Sequence, residues 1–297
     1  MSELAAMKVR GLEDGGTTVN ALRLPESFRG RVEDIRAGRA EPVPARHAAT
    51  VVVLRDHERH GLQAFLLRRV RSMEFAPGAY VFPGGGVDPR DGDLDLAWSG
   101  PAPAEWGRAF NADETLAREL VCAAVRETFE ETLVLLAGPT AETVVDDTRG
   151  DGWEADRQAL LDRTQSFGAF LDRRGLVLRA DLLRPWAHWI TPKVEPKRYD
   201  TRFFVAGMPE GQRARDVSTE ADQASWVRPA EAAERGSTGE WTMLPPTIAT
   251  LAELAEFETV ADALAAPREI VAYEPTAEII DGEAYLVLPD SIAQHYR

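Results

Sequence analysis

The chain has 297 residues and a formal net charge of −15, with 44% hydrophobic, 8% aromatic and 28% charged residues, the profile of a globular fold of one large or two small domains. The acid excess excludes a constitutive nucleic-acid binder, which needs a basic surface, but not a phosphate-bearing substrate presented to divalent cations. A single cysteine, Cys122, excludes an intramolecular disulfide framework and a Cys-rich zinc site, and no apolar run reaches the ~18–20 residues of a membrane span.

Met1–Ala5 has no cationic region ahead of an apolar stretch, and His295–Arg297 is not a peroxisomal Ser-Lys-Leu ending, so the expectation is a cytoplasmic protein. Residues 1–45 mix Gly, Ala, Arg and Glu around one short helical stretch near Ser27–Ala37 and read as a partly ordered arm. A single elaborated domain is expected from 46 to 297. Ala48–Leu54 is an almost continuous apolar run, and Leu62–Arg68 follows a polar turn, so the two read as a hairpin. Ala79–Phe82 is short and apolar and ends in Pro83–Gly84–Gly85–Gly86. Residues 87–112 are rich in Asp, Gly, Pro and Trp, show neither helical nor strand period, and read as a functional loop or an insertion.

Asp113 is an N-cap for a helix running to about Leu136, stopped by Gly138–Pro139. Asp156–Arg174 reads as a second helix and Ile248–Leu264 as a third. Strands are expected at Trp186–Ile190, Thr201–Ala206 and Glu220–Val227, with a short helix over Pro229–Arg235. Asp281–Gly282 is the turn of a tight hairpin between Glu278–Ile280 and Glu283–Leu288. The elements sum to an α/β fold with helices inserted between antiparallel strands.

The most informative segment is Arg126–Glu127–Thr128–Phe129–Glu130–Glu131. On a helix, Glu127, Glu130 and Glu131 stand at i, i+3 and i+4 and share one face. Like charges at that spacing cost an isolated helix roughly 0.2–0.5 kcal/mol per pair. A solvated face is the ordinary explanation of such a cluster. A hard divalent cation is the other, because Mg²⁺ takes oxygen ligands and leaves positions for water and phosphate. Upstream, Phe82–Pro83–Gly84–Gly85–Gly86–Val87–Asp88 lets the backbone approach a ligand closely but lacks the Lys-Ser/Thr of a P-loop.

Together the two segments resemble the Nudix box, Gly-x5-Glu-x7-Arg-Glu-U-x-Glu-Glu-x-Gly-U, with U a bulky aliphatic residue. The resemblance implies an α/β/α sandwich with a mixed sheet, Mg²⁺ or Mn²⁺, and hydrolysis of the diphosphate in a nucleoside diphosphate linked to another moiety. It places metal ligands at Glu127, Glu130 and Glu131, an orienting arginine at Arg126, and a backbone-carbonyl ligand at Gly84 or Gly85. Gly85 and Arg126 lie 41 positions apart where the pattern has 14, an insertion of 27 that splits the box between 84–88 and 119–134. The pattern's isolated glutamate is assigned to Glu119 or Glu114, its closing glycine is Leu133, and Thr128 replaces an aliphatic residue.

The long insertion is similar to that of a Nudix branch which includes a peroxisomal coenzyme A diphosphatase, and Trp189–Pro192 and Arg198–Phe204 also fit that branch. Of the coenzyme A signature, Arg69, Gly78 and Phe82–Gly85 match, while Val70 and Glu74 depart. The resemblance implies coenzyme A or an acyl-coenzyme A as substrate, with NADH, ADP-ribose, a dinucleoside polyphosphate or nucleotide sensing without hydrolysis as alternatives. Further acidic residues occur in this family near Glu220, which is a candidate extra ligand or general base. Arg69, Arg198 and Arg202 are candidate phosphate contacts. His188 reads as a packed strand residue, and Trp98 and Trp106 as base-stacking groups or anchors of the insertion. The partner expected is this small molecule, with no nucleic acid and no membrane; a homodimer is left open.

Overall fold

The run at 48–54 is continuously apolar because both faces of its strand are covered. The computed structural model describes residues 10–14, 17–73, 76–92, 96–215 and 221–294. Strand Arg46–His57 pairs antiparallel with Gly61–Arg69 and in parallel with Tyr199–Gly207. Its Val51 and Val53 enter one core with Phe65, Leu67, Phe204 and Ala206. Val52 and Leu54 enter a second with Leu62, Ala64, Leu66, Phe203 and Val205. The alternation is the period of two that a strand imposes.

The mixed sheet has eight strands, in the order Ala221–Val227, Gly61–Arg69, Arg46–His57, Tyr199–Gly207, Leu183–Ile190, Ala272–Tyr273. Tyr80–Val81 adds to Gly61–Arg69, and Gly84–Gly86 adds to Arg46–His57. One face is covered by helices Pro103–Phe110, Glu114–Thr132, Asp151–Leu161 and Phe167–Arg174, the other by Pro229–Ser237, Pro245–Leu254 and Val260–Ala265. The result is an α/β/α sandwich with additional helices on the C-terminal side of its core. Among the described residues no helix is long and apolar enough to cross a membrane.

Five expectations change. The segment 87–112 is structured: Trp98–Ser99 pairs with Val177–Arg179, and Pro103–Phe110 is a helix. Its Trp106 and Phe110, four apart, stack with centroids at 6.2 Å and both pack on Phe204. Eight residues are too few for the period to be read locally, so burial against Phe204 decides the helix. Trp106 thus anchors the insertion, and Trp98 donates its Nε1–H to the Pro101 carbonyl at 2.8 Å.

The helix expected over 156–174 is two helices, because Arg163 takes φ 56° and Ser166 caps the second by accepting from Ala169 N–H. The helix expected over 248–264 also divides, with Thr259 capping Val260–Ala265 through the Asp262 N–H. The glutamate helix stops at Thr132 rather than near Leu136. Leu133 is its C-cap at φ 60°, ψ 14°, the left-handed conformation a closing glycine would supply. Thr128 sits in the core with its hydroxyl donating to the Ala124 carbonyl, which satisfies the group that replaces an aliphatic side chain.

The segment read as an arm carries strands Arg10–Asp14 and Thr17–Arg23 and the helix Arg29–Arg36. Thr17–Arg23 pairs with Glu283–Leu288, which forms the expected hairpin with Thr276–Ile280 through Asp281 at φ 50° and Gly282 at φ 79°. This small sheet packs Leu22, Leu24, Val32, Leu286 and Leu288 against Val194.

Leu133→Gly tests which effect wins at the helix end. Relief of the left-handed backbone is worth about 1–2 kcal/mol, whereas deleting a leucine that is 1% exposed costs about 2–5 kcal/mol. The variant is expected to be less stable by about 1–3 kcal/mol in urea denaturation.

Candidate active site

The Gly84–Gly86 strand pairs with Arg46–His57 in the sheet and packs against the glutamate helix, and its glycines permit both approaches. A Cβ on Gly84 would lie 2.5 Å from the Ala49 carbonyl oxygen, and one on Gly85 would lie 2.5 Å from the Glu127 carboxyl. Glu131 accepts the Gly84 N–H at 3.0 Å. The helix is capped by Asp113, whose side chain accepts from Leu116 N–H, so the phase that brings Glu127, Glu130 and Glu131 over the glycines is set about four turns earlier.

Arg126 holds the constellation together. Its Nε and Nη2 donate to Asp91 at 2.9 Å each, Nη2 donates to the Gly86 carbonyl at 2.9 Å, and Nη1 donates to Glu127 at 2.8 Å and Glu130 at 3.3 Å. Burial opposes the guanidinium charge, yet Asp91, Glu127 and Glu130 outweigh it and its pKa is raised. Burial pushes Glu127 up to about 7, with Arg126 pulling it down and Glu130 adding to the rise. Glu130 is raised mainly by burial, against Arg126 and against Arg157, whose Nη1 donates to the Glu130 carbonyl at 3.0 Å.

Asp91 is the residue that sequence reasoning missed. Neither Glu119 nor Glu114 hydrogen-bonds Arg126; besides Glu127 and Glu130, the carboxylate that does belongs to Asp91, six positions after Gly85. That is the spacing of the Nudix pattern itself, so the signal was present: the insertion falls after Asp91 and not before the acidic position. Glu119 lies beside Asp91 and its pKa is raised by burial and by the nearby Asp91 and Asp113 charges.

These groups open on a cavity of about 1000 Å³. Its walls include Arg46, His47, Arg69, Arg90, Arg157, Arg163 and Lys197, and an apolar part with Leu24, Trp189, Ile190, Val194, Leu244 and Leu286. Of the candidate phosphate contacts, Arg69 lines this cavity, at the end of Gly61–Arg69. Arg198 does not: it is buried, donating to the Thr191 and Val43 carbonyls and paired with Glu274. Arg202 is buried and paired with Asp200 at 2.8 Å, and His188 packs in the same row with Nε2 2.5 Å from Asp200. Glu220 lies outside the described residues.

The donor set is all oxygen, and Gly85 leaves the Glu127 carboxyl unobstructed by a side chain, which is the chemistry a hard cation requires. Among the described residues, no group of three His, Cys, Asp or Glu side chains is drawn together closely enough to hold an ion, since Arg126 and Gly84 N–H take the carboxylates instead.

Residues 109–254 match the family model of the NUDT19 Nudix domain. A crystal structure of a NUDIX hydrolase from Alicyclobacillus acidocaldarius superposes with a TM-score of 0.66 at 29% identity, over 76% of this chain and 98% of that one. Over residues 109–254 the chain matches the Nudix hydrolase family. Within it, the chain is 29% identical over 243 residues to the acyl-coenzyme A diphosphatase NUDT19 of Homo sapiens, covering 68% of this chain and 63% of that protein. It is 28% identical to the protein of the same name from Gallus gallus, covering 67% and 62%. The chain therefore spans about three fifths of the length of the curated relatives it matches.

Asp91→Ala leaves the buried Arg126 without its two-pronged partner and is expected to cost about 3 kcal/mol in denaturant unfolding. Glu119→Gln is expected to change stability by less than about 0.5 kcal/mol, because Glu119 holds no cation in place.

Proposed function

We propose that this protein is a divalent-cation-dependent hydrolase of the diphosphate bond in a nucleoside diphosphate-linked compound, with coenzyme A or an acyl-coenzyme A as the substrate. The observation that carries the reading is the composition of one cavity. In a chain of net charge −15, Arg46, Arg69, Arg163 and Lys197 line the same cavity as the box carboxylates, together with Arg90 and Arg157, which are paired with Asp88 and Glu154. Such a set suits a polyanion, and the apolar part around Trp189, Ile190 and Leu244 suits an uncharged extension of the same molecule. The names of the curated relatives support the acyl-coenzyme A choice.

In this reading Glu127, Glu130 and Glu131 hold Mg²⁺ or Mn²⁺ with the carbonyl of Gly84 or Gly85. The bound cation supplies charge neutralisation at the diphosphate and a lowered water pKa. Arg126 orients Glu127 and Glu130 through the contacts described above, and Asp91 fixes Arg126. Arg69 contacts a phosphate of the substrate. Glu220 is proposed as the group that takes a proton from the attacking water.

The experiment is product analysis by mass spectrometry with Mg²⁺ and then Mn²⁺, offering coenzyme A, acetyl-coenzyme A, NADH, ADP-ribose and diadenosine polyphosphates. Release of 3′,5′-ADP and phosphopantetheine from coenzyme A is the expected result. Cleavage of another compound alone overturns the substrate, and no cleavage of any overturns the enzyme reading in favour of nucleotide sensing. Glu131→Gln is expected to keep the fold and lower turnover by about 10²–10⁴.

A further inference from the structure

We infer that His47, held by Asp200, is a substrate-contacting residue that donates a hydrogen bond to the diphosphate; the inference rests on the diphosphate-hydrolase reading of the cavity. Backbone register places the imidazole. Ala49 pairs with Gly85, the glycine against which Glu127 packs, and Ala48 pairs with Gly86. His47 is two residues from Ala49 on the same strand, so its side chain emerges on the same face of the sheet, about 7 Å along it. That is the scale on which one group can touch a phosphate whose other side faces the glutamates. The His47 carbonyl accepts the Val87 N–H at 3.0 Å, which locks this strand end to the segment following the glycines.

The ring is oriented from behind. Asp200 stands directly opposite His47 in the parallel pairing, with Oδ2 3.2 Å from Nδ1. Arg202 Nη1 lies 3.2 Å from the same Nδ1 and 2.8 Å from Asp200 Oδ1, and His188 Nε2 holds that oxygen too at 2.5 Å. His188 and Arg202 are buried, and Asp200 is shielded, so the row is a fixed platform. His47 is its exposed end, with 43% of its side chain accessible and the ring lining the cavity. With Nδ1 engaged by Arg202 or by Asp200, Nε2 is the nitrogen available to carry a proton toward an anion, in the neutral ring or in the imidazolium respectively. Asp200 acts through His47 and is a positioning residue.

The test uses the full chain and α,β-methylene-ADP, a diphosphate that is not cleaved, with binding read by calorimetry and the His47 imidazole read by its ¹⁵N–¹H correlations. His47→Ala is expected to weaken binding about ten- to a hundredfold, the span of a hydrogen bond to a charged group, with an unchanged thermal midpoint. His47→Gln, which keeps a donor, recovers part of the loss. Asp200→Asn shifts the tautomer balance of His47, an effect a purely structural row would not transmit, and weakens binding less than His47→Ala. In the parent protein the His47 resonances move when the analogue is added, a measurement that needs no variant to fold. Unchanged affinity in His47→Ala, or His47 resonances indifferent to the analogue, overturns the inference. Because the probe is not cleaved, failure of coenzyme A hydrolysis would overturn the proposed substrate alone, whereas normal hydrolysis with unchanged binding in His47→Ala would overturn this inference alone.

Discussion

The Arg126 guanidinium is the point through which the three parts of the site are connected. One cation reaches the glycine strand at the Gly86 carbonyl, the turn ahead of the insertion at Asp91, and its own helix at Glu127 and Glu130. It also offsets the repulsion that the glutamate spacing creates, because burial makes each uncompensated carboxylate expensive. Asp91 completes the balance, being itself almost wholly buried. A buried ion pair of this kind is weak evidence for stability and better evidence for a fixed geometry, since it tolerates few other arrangements of the same groups.

The sheet makes that geometry available. Strand Arg46–His57 runs through its middle and carries the glycine strand along its edge, so the box backbone inherits the rigidity of a strand buried on both faces. The glutamate helix docks on it through the buried cluster that holds Leu120, Val121, Ala124, Val125 and Phe129. The insertion follows the turn bearing Asp91 and is tied down by Trp106 and Phe110 on Phe204.

Charge is distributed unevenly in the molecule. An excess of acid over the whole chain coexists with a cavity lined by arginines from the central strand, the turn ahead of the insertion and the break between helices Asp151–Leu161 and Phe167–Arg174. The row His188, Arg202, Asp200 and His47 belongs to the same pattern, with buried charges paired across adjacent strands and one polar ring left at the cavity. The terminal sheet contributes Leu24 and Leu286 to the apolar end, so segments at both ends of the chain take part in one wall.

Local pattern was sufficient for the glutamate helix, its Asp113 cap, the 46–69 hairpin and the Asp281–Gly282 turn, since each is decided by a side-chain period or by turn chemistry within a few residues. The box carboxylates were legible for the same reason: a helical spacing is a local quantity. Asp91 was legible in its spacing from Gly85 but was passed over, because an insertion of unknown placement separates the two halves of the pattern. The fates of Arg198 and Arg202 were not legible. An arginine's type says that it binds anions, and only tertiary structure says whether the anion is Glu274, Asp200 or a substrate. The same holds for His47, whose neighbour Asp200 is brought to it by parallel strand pairing, and for Thr17–Arg23, whose partner strand begins at Glu283. Sequence by itself determined which groups can carry charge and which segments have a period; tertiary structure decided which charges meet, because pairing between distant strands is set by the burial of both sheet faces together and by no single segment.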